Sequence, residues 1–178
     1  MAGFTFDSTK SSDVGIVCRS VDRTLLPKKR IKQYIIPGKS GTYDVENGYE
    51  NRLIVCEIGF TGTNYTREEL RVKARKVAQW LSGAGLLIFD DEPDKGYQAK
   101  VIDGISIEEI AATGKAQVTF ECSPFAEGLT YELAATGVVS LPATADIVVS
   151  GTQSTNALIH IKASDTVSGL KISRLTTY

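Results

Sequence analysis

The chain has 178 residues, 42% of them hydrophobic and 23% charged, with a formal net charge of −1. That is enough for one full domain and part of a second. No apolar run approaches the roughly 18 residues of a membrane span, the opening MAGFTFDSTK lacks the regions of a signal peptide, and the small net charge exerts no global pull on nucleic acid or membrane.

Most of the chain reads as strands. Val14–Cys18 and Ile31–Ile36 are short β-type runs, the second closed by Pro37-Gly38. From Ile36 to Arg52 the turn formers Gly38, Lys39, Ser40, Gly41, Asp44, Asn47 and Gly48 predict a loop, although Tyr43 and Tyr49 are unusual in one. Leu53–Phe60 predicts a strand with Ile54, Cys56, Ile58 and Phe60 on its apolar side.

One helix stands out. Thr66 is placed as its N-cap, Glu69 completes a capping box, and Leu70, Ala74, Val77 and Leu81 recur at helical spacing until Gly83. Arg67, Arg71, Lys73, Arg75 and Lys76 decorate the other positions. Glu68 and Glu69 among them favour a solvated or partner-contact face over nucleic-acid binding.

Leu86–Phe89 then predicts a short strand ending in the acidic turn Asp90-Asp91-Glu92-Pro93-Asp94. Two β segments follow, Tyr97–Ile110 and Lys115–Cys122, with Thr113-Gly114 as a hairpin turn between them and Asp103-Gly104 as either a turn or a bulge. Beyond Pro124 charges thin out, while Ile147–Val149 and Leu158–Ile161 still read as strands.

Chemistry is sparse. The single histidine, His160, comes without GxSxG, HExxH or CxxC, which leaves no credible catalytic triad and no zinc site. Pro37-Gly38-Lys39-Ser40 resembles the end of a P-loop, but Gln33 stands where the motif needs glycine. The acidic turn lacks EF-hand spacing, and its adjacent carboxylates do not suit a shared acid/base role. Cys18, Cys56 and Cys122 form no CxxC pair. Cys56 and Cys122 alternate into apolar faces, so free buried thiols are expected. The residues thus predict a β-rich α+β protein without catalytic, cofactor or metal sites.

The ordered set of local motifs is more specific. Arg23-Thr24-Leu25-Leu26-Pro27 is followed by Ile36-Pro37-Gly38-Lys39-Ser40-Gly41-Thr42-Tyr43-Asp44 and Tyr49-Glu50-Asn51-Arg52. Then come the helix from Glu69-Leu70-Arg71 to Trp80-Leu81, and Leu87-Ile88-Phe89-Asp90-Asp91-Glu92-Pro93-Asp94-Lys95. Ile105-Ser106-Ile107-Glu108-Glu109-Ile110 and Val118-Thr119-Phe120-Glu121-Cys122-Ser123-Pro124-Phe125-Ala126 end the series. This succession is similar to the N-terminal domain of the siphophage distal tail (Dit) family over about residues 4–127.

The resemblance implies a mainly β, α+β fold: a β-sandwich-like, tail-tube-type domain with one flanking helix and a β-hairpin. It implies a ring-forming domain at 1–130, with 131–178 as a partial or truncated galectin-like β domain. It further implies a virion tail-tip location after synthesis in the bacterial host cytoplasm, and a homo-oligomer, by family habit a hexameric ring. Such a ring joins the tail tube protein to the tail-tip hub protein and often anchors receptor-binding proteins. DNA would pass its lumen without sequence readout. A carbohydrate-binding module of a tail-associated protein is the alternative.

Self-association has support in the residues themselves. Residues 1–89 carry 14 Lys/Arg against 9 Asp/Glu, and residues 90–178 carry 6 against 12, a division that suits head-to-tail contact. Aromatic and Arg side chains favour interfaces. The loop residues Pro37, Gly38, Tyr43 and Tyr49, together with Arg52, are therefore expected near a subunit contact.

Overall fold

The computed structural model describes residues 3–62, 64–105 and 112–129, with Gly151, Thr152 and Gly169. The chain divides into two compact units, Met1–Leu133 and Ala134–Tyr178. Everything below concerns the first. The expected galectin-like segment, His160 and the two C-terminal strands lie outside the described residues.

The strands are β1 (Phe4–Phe6), β2 (Thr9–Lys10), β3 (Ile16–Arg23), β4 (Lys29–Ile35), β5 (Thr42–Tyr49), β6 (Arg52–Phe60), β7 (Ala84–Phe89), β8 (Lys95–Val101), β9 (Lys115–Cys122) and β10 (Glu127–Gly128), with helix α1 over Arg67–Leu81. All described pairings are antiparallel. One sheet runs in the order β2-β1-β7-β8-β9-β6-β3, with β10 added beside β8, and β4 and β5 form a separate two-stranded ribbon.

The large sheet curls on itself. Strand β1 lies three positions from β9, about 14 Å in a flat sheet. Yet the Phe6 and Phe120 rings are 5.5 Å apart, and those of Phe4 and Phe120 5.6 Å. The two ends of the path, β2 and β3, are neighbours in the chain, and the Ile16 amide donates to the Ser11 carbonyl at 2.8 Å. The two halves of the sheet thus face each other across one core, as in a sandwich. Ile54, Cys56 and Ile58 from β6 and Ala116, Val118, Phe120 and Cys122 from β9 fill it, as their alternation predicts.

Helix α1 flanks this core through buried Ala74, Val77 and Leu81. Trp80 lies flat on Phe4 at 5.6 Å and donates its indole N–H to the Phe6 carbonyl at 3.0 Å. The helix begins where the sequence places it. The Glu69 amide donates to Thr66 Oγ1 at 3.3 Å, and the Thr66 amide donates to Glu69 Oε2 at 2.8 Å. Thr66→Ala should therefore cost about 1 kcal/mol, read as a lower denaturation midpoint at unchanged slope. A neutral substitution would show the cap to be dispensable.

Three expectations are corrected. Residues 36–52 are not a loop throughout, because Thr42–Tyr49 forms β5 opposite β4. Glycines at positive φ disguised the strand: Gly38 and Gly41 shape the turn, while Gly48 sits in a bulge where β5 carries one extra residue opposite the Lys29–Ile31 step. The segment from Tyr97 leaves the sheet after Val101, so Asp103-Gly104 stands beyond its end, and residues 106–111 are outside the described set. The first short run is longer than its apolar stretch and reaches Arg23, past a bulge at Arg19.

Candidate functional site

Among the described residues no three His, Cys, Asp or Glu side chains gather as a metal site. No described helix is long and apolar enough to cross a membrane. The acidic turn has structural employment instead. Arg23, at the end of β3, pairs with both Asp91 and Glu92 and lies 4.8 Å above the Phe89 ring. The Gly3 amide donates to Asp90 Oδ2 at 3.0 Å. The turn thereby ties the N-terminus and β3 to the β7–β8 connection.

The three cysteines are free and buried. Desolvation pushes the Cys122 thiol up to about 12. The Cys56 thiol is raised by donating to the Cys18 sulfur and then by burial. The Cys18 thiol is instead lowered by the bond from Cys56, but a thiolate reacts only where a reagent can reach it, and all three sulfurs are buried. The native protein should stay silent towards a thiol reagent at pH 8 and titrate three groups after denaturation, whereas a single group would reveal a disulfide between two of them.

What distinguishes the surface is the β4–β5 ribbon, hereafter the arm. Every residue of β4 is exposed, and so is all of β5 except half-buried Tyr49. A lone two-stranded ribbon is marginal in water. This one nevertheless presents Ile31, Tyr34, Ile35, Tyr43 and Val45 to solvent.

The expected contact residues separate into two groups along it. Pro37 and Gly38 lie in its exposed turn and Tyr43 on its outer half, 60% exposed. Tyr49 sits at the root, its ring edge-on to Phe125 at 4.9 Å. Arg52 also belongs to the root: its guanidinium lies 5.6 Å from the Tyr97 ring centroid, and Nη2 donates to the Leu25 carbonyl at 3.4 Å. Tyr49 and Arg52 thus anchor the arm within one chain.

Sequence reasoning overlooked Tyr34, directly opposite Tyr43, and the pair Leu25 and Leu26, 95% and 66% exposed. Two consecutive leucines before a buried proline were the available signal.

The first unit is thus a curled antiparallel sheet with one flanking helix and an exposed two-stranded arm. Residues 16–122 match the phage tail protein RIFT-related domain model, and the chain belongs to that family. Its fold is similar to the crystal structure of Dit from phage SPP1, described as a paradigm of the hub adsorption apparatus in phages infecting Gram-positive bacteria. The likeness has a TM-score of 0.60 at 17% identity and covers 72% of this chain and 52% of that one. This chain therefore spans about half the length of that protein. No protein with a curated description matches it.

Proposed function

We propose that the protein is a non-enzymatic distal tail component that self-associates into a ring at the tail tip, linking the tail tube protein to the tail-tip hub. The observation that carries this reading is the exposed, apolar arm on a phage tail domain, since contiguous exposed apolar surface marks an association site. Six subunits is the number that the resemblance implies, with 1–130 as the ring-forming domain and 131–178 as the beginning of a galectin-like one. Receptor-binding proteins are further partners by the same resemblance, and synthesis belongs to the host cytoplasm.

The carbohydrate-binding reading has less behind it, because Trp80, the one tryptophan, is committed to the core. Native mass spectrometry over a range of concentrations is the test. A closed multiple of 19.2 kDa, six-fold on this reading, is expected, whereas a monomer at every concentration would overturn it.

A further inference from the structure

The two faces of the arm differ. On one, Ile31, Gln33 and Ile35 stand opposite Glu46, Asp44 and Thr42. The carboxylates there have partners of their own: Glu46 is paired with Lys29 at 2.9 Å, and Asp44 accepts from Gln33 and Thr42. On the other, Lys32 and Tyr34 stand opposite Val45 and Tyr43. That face carries no carboxylate among these pairs. Its two tyrosines and valine are 41–60% exposed, and the Lys32 ammonium lies 5.1 Å from the Tyr34 ring centroid. It is apolar and positive.

The complementary character stands at the arm's root. Leu25 and Leu26 form an uncovered apolar shelf, held by the bond from Arg52 to the Leu25 carbonyl. Two residues before Leu25, Arg23 holds the acidic turn at the same end of the sheet. Asp90, Asp91, Glu92 and Asp94 outnumber the cations that pair with them, Arg23 and Lys95. The shelf is apolar, with Arg52 and Lys28 beside it and the net-negative turn close by at Arg23.

An arm does not serve its own shelf. Tyr34 is five strand steps beyond Lys29, about 17 Å along the ribbon, and the arm around it is fully exposed. Unlike surfaces meeting between copies make a heterologous contact, the kind that closes into rings.

We propose that the Lys32–Tyr34–Tyr43–Val45 face of one copy docks on the Leu25–Leu26 shelf, beside the Asp90–Asp94 turn, of a second copy. This deepens the ring reading and rests on it. It removes Tyr49 and Arg52 from the contact, because both are engaged at the root of their own chain.

The test is a full-length chain carrying Leu26→Cys and Tyr43→Cys, both at exposed positions. After mild oxidation the double variant should give a covalent ladder on a non-reducing gel. Either single variant should give none, and an equimolar mixture of the two should give a dimer joined through positions 26 and 43. In parallel, Lys32→Glu should raise the concentration for half-assembly about tenfold or more, and adding Asp94→Lys should recover part of the loss. A multimer that forms without the 26–43 bond, or with bonds joining 43 to 43, overturns this docking and leaves the ring reading standing. A monomeric wild-type chain at every concentration overturns both.

Discussion

Phe120→Ala should lower the free energy of unfolding by about 4 kcal/mol, the upper range for emptying a packed aromatic site. Phe120 is fully buried on β9 and meets Phe6 at 5.5 Å and Phe4 at 5.6 Å, the contacts through which the curled sheet closes. Its neighbours are paired strands on both sides, which leaves little scope for collapse into the void. Equilibrium denaturation in urea would measure the loss. A cost under about 1 kcal/mol would mean that the two halves of the sheet do not depend on this cluster.

Arg23→Ala should cost about 2 kcal/mol. Two charge-assisted bonds to Asp91 and Glu92 and the position above Phe89 are lost together. The carboxylates are 49% and 38% exposed, so water screens part of the attraction, and the figure stays below that of a buried pair. Arg23→Lys should recover only a fraction, since an ammonium does not present the two-pronged donor set. The unfolding midpoints of the three proteins decide. If alanine matches wild type within about 0.5 kcal/mol, the link between turn and strand is ornamental.

Much of the core was legible because a single periodicity governs each of its elements. Alternation along β6 and β9 named the buried side chains, including Cys56 and Cys122, and the Thr66–Glu69 spacing located the helix start. The arm was misread for a local reason. Gly41, Asn47 and Gly48 are turn residues by propensity, but here they serve a turn and a bulge inside a paired ribbon. Strand β1 is three residues long, too short to show a period.

Which of the expected contact residues are exposed was half legible. Tyr43 and Tyr49 look alike in sequence, and only Phe125, distant along the chain, makes Tyr49 an anchor. The spacing of the acidic turn argued against metal or acid/base chemistry, but its partners, Arg23 and the Gly3 amide, are too distant along the chain to be read from sequence.

The closure of the sheet also orders events during synthesis. Strand β1 leaves the ribosome before the other strands of its sheet, and its partner β7 is more than 75 residues downstream. At roughly 5–20 residues per second, Phe4 and Phe6 wait about 4–17 s for Phe89. Helix α1 and the β4–β5 hairpin can form locally in that interval, whereas the long-range pairings that define the core come late. Phe4 and Phe6 thus remain without their sheet partners until β7 has been made.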